Sequence, residues 1–259
     1  KFLGFPMELF YREYGKGTPL IILHGLFGCA DNWQSQAKKF SEYFRVIVVD
    51  VRNHGRSPWS EDFTYPILAK DVLALLKSLE IKNYFLLGHS MGAKIAMHLA
   101  QINATGIEGL ILVDMGVKKY EPHHQHILKG IHSIPLDKLS KRSEAEPYLG
   151  AYIDEVGTRQ FLLKNLYWIE KGKLAWRMNV SVLEKQMPEI LSALPQKEVL
   201  VPSIFIRGEK SNYILEEDIS DIESLFADSE FVSIPNAGHW VHAESPDNFI
   251  DQVLSFCLR

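Results

Sequence analysis

Apolar residues follow two rhythms along the chain. Short unbroken runs at Leu20 to Leu23, Arg45 to Val49, Tyr84 to Leu87 and Leu110 to Val113 predict strands buried on both faces. Between them the period lengthens to that of a helix. Asn32 to Tyr43 sets Trp33, Ala37 and Phe40 on one stripe, Leu68, Val72, Leu75, Leu76 and Leu79 form another, and Ala93 to Ala100 makes a third. Strand and helix in strict alternation predict an α/β chain with a mostly parallel, doubly wound sheet.

The alternation stops near Gly116. For some eighty residues no buried strand is evident until Ile204-Phe205-Ile206, and so long an interval is no ordinary loop. Residues 117–199 are therefore expected to form a helical cap inserted into a core made of residues 1–116 and 200–259. After the cap a helix over Ile219 to Phe226, a strand over Phe231 to Ile234 and a final helix from Asp247 to Phe256 complete the pattern.

Composition narrows the classes of function. Of 259 residues 46% are hydrophobic and 23% charged, enough apolar surface for a packed core rather than a disordered chain. Lys+Arg 28 against Asp+Glu 32 gives a net charge of −4, and no basic run is present to neutralise several phosphates, so nucleic acid is not an expected partner. The longest apolar stretch, Pro19 to Ala30, is too short and too interrupted to span a bilayer. Two cysteines, Cys29 and Cys257, form no paired motif, which points to a reducing, cytoplasmic setting. Lys1 to Pro6 lacks the features of a secretion signal and reads as an added extension ahead of a native start at Met7.

The chemistry is concentrated in three places. Gly88-His89-Ser90-Met91-Gly92 lies between a strand and a helix, the setting of a nucleophile elbow. Small residues two before and two after Ser90 permit the sharp turn, and the helix N-terminus favours developing negative charge there. His24-Gly25-Leu26-Phe27-Gly28 follows a buried strand directly, so its turn can aim the Leu26 N–H, together with that of Met91, at an oxyanion. A serine hydroxyl needs a base, and only His239 and His242 follow both Ser90 and the cap. His239, in Asn236-Ala237-Gly238-His239-Trp240, is the expected base, and His242 the expected anchor of its loop.

These stretches resemble the α/β-hydrolase superfamily, and within it the small bacterial serine esterases of the YbfF type. The resemblance also covers Asp50-Val51-Arg52-Asn53-His54-Gly55-Arg56-Ser57-Pro58, the run from Gly238 to Glu244, and Gln160-Phe161-Leu162-Leu163-Lys164-Asn165 in the cap. It implies an α/β-hydrolase fold, a Ser-His-Asp triad and no cofactor. In most of the superfamily the acid stands in a Gly-x-x-Asp turn after the cap, but here Gly208-Glu209-Lys210-Ser211 has serine at that position. The other place from which members supply the acid is the end of the strand before the cap, and Asp114 occupies it. Asp114 is therefore expected to orient His239, with Glu216-Glu217-Asp218 as the competing source. Ser211 and His24 are expected to support the triad from beside it. The resemblance further implies that Asp50, Arg52 and His54 brace the sheet edge without reacting.

Phe27, Phe161, Tyr167, Trp168 and Trp240 are expected to line an apolar acyl pocket. Lys94, one turn beyond Ser90, is expected to be solvated or to donate a hydrogen bond near the site. Glu121, His123, His124 and His126 lack metal-ligand spacing, so no metal is expected. The combined reading is a serine carboxylester hydrolase, an esterase or thioesterase acting on a small to medium acyl (thio)ester through an acyl-enzyme. A carbon–carbon bond hydrolase or lyase, a perhydrolase, and a small-molecule receptor with vestigial activity use the same scaffold and remain open at this point.

Overall fold

The computed structural model describes residues 4–259, so Lys1 to Leu3 of the expected extension lie outside the described residues. Among the described residues nine strands form two sheets. The main sheet contains β1 (Tyr11–Tyr14), β2 (Pro19–Leu23), β3 (Arg45–Val49), β4 (Tyr84–His89), β5 (Ile107–Val113), β8 (Ser203–Gly208) and β9 (Ser229–Ile234), in the order β1-β3-β2-β4-β5-β8-β9. Every neighbouring pair is parallel except β1 with β3. The central strands are almost wholly buried, which is why they appear in sequence as unbroken apolar runs.

Helices α1 (Gln34–Phe40), α2 (Tyr65–Ser78) and α3 (Met91–Ile102) are the crossovers of the first half. Only part of Asn32 to Tyr43 is α-helical: Ala30–Trp33 is a 3-10 turn, and the chain leaves the helix after Phe40. Buried residues on the two faces of the sheet form separate cores, one including Trp33, Phe40 and Phe249, the other including Leu68, Val72 and Leu99.

Between β5 and β8 the chain forms α4 (Gln125–Ser133), α5 (Glu146–Gly150), α6 (Val156–Leu163), α7 (Val180–Lys185) and α8 (Met187–Ile190). A helical segment is expected here from the sequence, but it also contains strands. Strands β6 (Leu166–Glu170) and β7 (Lys173–Trp176) make an antiparallel hairpin whose pattern is masked by the exposure of β6 beyond Leu166 and Tyr167. After β8 come α9 (Ile219–Leu225), α10 (Val241–Glu244) and α11 (Pro246–Cys257).

Helix α3 is buried on nearly every side, so its polar side chains must find partners. Lys94 and Gln101 find them at the two ends of the segment between β5 and β8, whereas His98 stacks on Tyr65 and leaves its Nε2 unpaired. Lys94 is not solvated: its Nζ donates to Lys118 O at 3.0 Å and Ser192 O at 2.5 Å. Gln101 Nε2 donates to Pro195 O at 2.8 Å and Lys197 O at 2.6 Å. Burial lowers the Lys94 ammonium to about 7. Among the described residues no helix is long and apolar enough to cross a membrane.

Candidate active site

Four strands of the parallel sheet end side by side, and each delivers one residue of the site at its C-terminal edge. Ser90 follows β4, Asp114 follows β5, Ser211 follows β8 and His239 follows β9. Ser90 holds φ 55° and ψ −119°, a conformation that side chains disfavour and that the sharp strand-to-helix turn imposes. The turn also needs its glycines. A Cβ on Gly92 would collide with Leu23 O, and one on Gly88 with Gly92 O.

His239 Nε2 lies 3.0 Å from Ser90 Oγ, and His239 Nδ1 lies 2.7 Å from Asp114 Oδ2. Asp114 is fully buried. A carboxylate can only accept, so Nδ1 carries the proton and Nε2 is left as the acceptor facing the serine hydroxyl. The remaining capacity of the carboxylate is filled by Gly208 N–H at 3.2 Å and by the Ser211 hydroxyl, which donates to Oδ2. Ser211, at the position where most of the superfamily carries an acid, thus donates to a carboxylate from the end of the neighbouring strand. Glu216 is instead paired with Arg207 and Asp218 with Lys118, so two members of the competing acidic run are engaged elsewhere.

Two neighbours of His239 had no distinguishing signal in the sequence. Tyr213 stacks on the imidazole at 3.9 Å between ring centres, and its hydroxyl lies 2.5 Å from His123 Nε2. His89 Nε2 donates to His239 O at 2.8 Å, fixing the backbone of His239. His242 stacks on Trp33 at 4.1 Å, and its carbonyl accepts from Gln36. Glu244 accepts from the N–H groups of Gly238 and Trp240, closing the loop from the other side.

The amides expected to face an oxyanion are available. Among the described residues neither Leu26 N–H nor Met91 N–H donates within the chain. Beside them, His24 Nδ1 donates to Gly25 O at 2.8 Å while its Nε2 accepts from Val51 N–H at 3.1 Å. The loop after β3 acts as a brace. Asp50 accepts from Ala30 N–H and Arg56 N–H, Arg52 forms a buried two-point ion pair with Asp71, and His54 Nε2 accepts from Phe27 N–H.

Ser90 and His239 open onto a cavity of about 890 Å³. Leu26, Phe27, Ile127, Phe161, Leu162 and Trp240 supply its apolar lining, and Glu155, Thr158, Gln160 and Lys164 add polar groups. Phe161 and Trp240 pack together at 4.4 Å. Tyr167 and Trp168, expected in the pocket, do not line it. Both lie on the hairpin strand β6: Tyr167 is covered by the Arg177 guanidinium at 4.3 Å, and Trp168 is 47% exposed with its indole N–H on Ser140 O. His123, His124 and His126 border the cavity mouth, and no set of three ligand-type side chains among the described residues converges as a metal site.

Several histidines are buried as neutral rings. Burial pushes His54 and His242 down to about 3 and His98 to about 4, and carries His89 well below the ordinary range. Each takes up a proton in the unfolded chain near pH 6.5 but resists it when folded, so the unfolded state binds more protons below that pH. Stability present above pH 6.5 is therefore lost as the pH falls toward the folded values. At pH 5 the loss is about 2 kcal/mol per fully buried histidine. Thermal unfolding is expected at least ~10 °C lower at pH 5 than at pH 7.5; equal midpoints would refute this.

Comparison with known proteins identifies the fold and the family. Residues 18–137 match the family model described as alpha/beta hydrolase fold. The chain is 36% identical to the sn-1-specific diacylglycerol lipase ABHD11 of Danio rerio, over 97% of this chain and 83% of that protein. It is 34% identical to Esterase YbfF of Escherichia coli K12, over 89% of each. A solved structure titled marine microorganism esterase superposes with a TM-score of 0.94 at 40% identity, covering 96% of this chain and 99% of that one. A shared fold and identity along almost the entire length place this chain in the α/β-hydrolase family, among the YbfF-type esterases.

Proposed function

We propose that the protein is a serine hydrolase that cleaves small to medium carboxylic esters or thioesters through an acyl-enzyme. The observation that carries this reading is the unbroken relay of Ser90 Oγ, His239 and buried Asp114, opening onto a largely apolar cavity. His239 Nε2 takes the hydroxyl proton as Ser90 Oγ bonds to the acyl carbon. Asp114 stabilises the imidazolium without becoming protonated. The tetrahedral oxyanion rests on the N–H groups of Leu26 and Met91. Collapse breaks the bond to the leaving alkoxide or thiolate, which leaves with the proton from His239. Water then attacks the acyl-enzyme with His239 again as base, releasing the acid and restoring Ser90.

The names of the relatives, an esterase and a diacylglycerol lipase, support an acyl ester as substrate. Ser211 acts as a donor that keeps the Asp114 carboxylate correctly turned, and His24 as a brace for the oxyanion turn. Phe27, Phe161 and Trp240 receive the acyl chain. Among the described residues, Cys29 and Cys257 are both unpaired, which supports a reducing, cytoplasmic location.

Steady-state hydrolysis of p-nitrophenyl esters from acetate to palmitate tests the assignment. Turnover is expected with an optimum at a chain length that the apolar lining can bury, and replacing Phe161 by alanine should move that optimum to longer chains. Absence of turnover across the whole series, with binding retained, would favour a receptor. Turnover only of a vinylogous diketone would favour carbon–carbon hydrolysis.

A further inference from the structure

The loop that presents the Leu26 amide is held from three directions. Gly25 O accepts from Gly28 N–H at 3.0 Å and from His24 Nδ1, which fixes the peptide plane whose other end is the Leu26 N–H. The next residue, Phe27, is buried and adopts φ 62°, a left-handed conformation costly for a residue with a Cβ. Such a residue keeps that conformation only where its surroundings determine it. Both its backbone groups are engaged. Its N–H donates to His54 Nε2 at 3.1 Å, and its carbonyl accepts from Asn165 Nδ2 at 2.6 Å.

Asn165 comes from the segment between β5 and β8, 138 residues further along the chain. It is completely buried, and its Oδ1 has no hydrogen-bond partner. An unpaired buried acceptor is unfavourable, so packing alone gives no reason for an amide here. The side chain does one polar thing, which is to hold Phe27 O. Its own backbone is fixed in turn, with N–H on Leu162 O at 3.0 Å and O accepting from Arg177 N–H at 2.8 Å. Phe161 and Leu162, in the same segment, line the cavity.

We propose that Asn165 is a positioning residue of the oxyanion hole, through which the inserted segment holds the Leu26 amide on target. It touches neither substrate nor Ser90. It acts through Phe27, whose backbone it and His54 grip from opposite ends of the residue. The hole is then complete only while the segment carrying Phe161 and Leu162 is seated, so occupancy of the acyl cavity and assembly of the oxyanion hole share one hydrogen bond. This inference rests on the serine-hydrolase reading above.

The test uses Asn165→Leu and Asn165→Ala in the full chain, beside wild type and Ser90→Ala. Each variant is assayed on p-nitrophenyl butyrate and titrated with an alkyl trifluoromethyl ketone, which forms a tetrahedral adduct on the serine. Expected is a fall in kcat of ~10- to 100-fold, the range below complete loss of one oxyanion donor. KM should stay within about threefold, and the inhibition constant of the ketone should rise in step with the loss of kcat/KM. A merely structural role would lower the amount of folded enzyme and leave the ketone's affinity for the folded fraction unchanged. Should Asn165→Leu fail to fold, Asn165→Ala, smaller and likewise without a donor, carries the same comparison. Wild-type kcat in the folded variant, or a loss confined to KM, overturns the inference while the hydrolase reading stands. A wild type that turns over no ester overturns both.

Discussion

Asp114→Asn is expected to lower kcat on a short p-nitrophenyl ester by ~10³- to 10⁴-fold at pH 7.5, with KM nearly unchanged. Asparagine fits the same buried space, so packing is preserved. What changes is the donor pattern. Asp114 Oδ2 accepts from both His239 Nδ1 and the Ser211 hydroxyl, and an amide in its place can turn an NH₂ toward the imidazole. His239 then presents Nδ1 as acceptor and Nε2 as donor, the wrong tautomer for removing a proton from Ser90. The loss also includes the charge that stabilises the imidazolium. Ser211 offers a specific rescue, because its Oγ already lies against the carboxylate. Adding Ser211→Asp to Asp114→Asn is expected to recover part of the lost rate. An Asp114→Asn enzyme within tenfold of wild type would mean that the acid lies elsewhere.

Ser90→Ala is expected to have the larger effect, removing ~10⁴-fold or more of kcat and leaving only the rate supplied by binding and the oxyanion donors. Alanine keeps the Cβ, so the strain at φ 55° and the packing of α3 are little altered. Thermal stability should be unchanged within a few degrees. Effects of the triad do not add, because each member is useful only through the others. A Ser90→Ala, Asp114→Asn double variant should therefore be no slower than Ser90→Ala alone. Full activity in Ser90→Ala would exclude covalent catalysis at this residue.

The parts of the fold legible in sequence are those where burial leaves no ambiguity. Leu20 to Leu23 and Arg45 to Val49 are central strands covered on both faces, so every position is apolar or nearly so. The edge strand β1, Tyr11–Tyr14, escaped because only one side of it pairs and all four of its residues are at least partly exposed. The hairpin β6–β7 escaped for a related reason: most of β6 faces solvent, and a period of two is faint over five residues. That same exposure removes Trp168 from the cavity beside Ser90, while Arg177 covers Tyr167.

At the site, the elbow around Ser90 was legible because main-chain geometry dictates the glycines at 88 and 92. The position of Asp114 was legible only from the departure at Ser211, which left the end of β5 as the other source of an acid. Tyr213 and Asn165 were not legible as site residues. One is an aromatic in an irregular loop, the other a polar residue just past a helix, and neither has a periodicity that marks its partner. Their roles come from contacts between segments 26 and 138 residues apart in sequence, the stack of Tyr213 on His239 and the bond from Asn165 to Phe27.

The central claim is that Ser90 becomes acylated. Intact-protein mass spectrometry after treatment with a fluorophosphonate, followed by peptide mapping, reads this directly, since the reagent forms a stable adduct on an activated serine. The account expects one adduct per chain on the peptide carrying Ser90, and suppression of labelling by an ester substrate. Labelling should be strongly slowed in Asp114→Asn and abolished in Ser90→Ala. An unlabelled wild type, or an adduct mapped to any other residue, would contradict it.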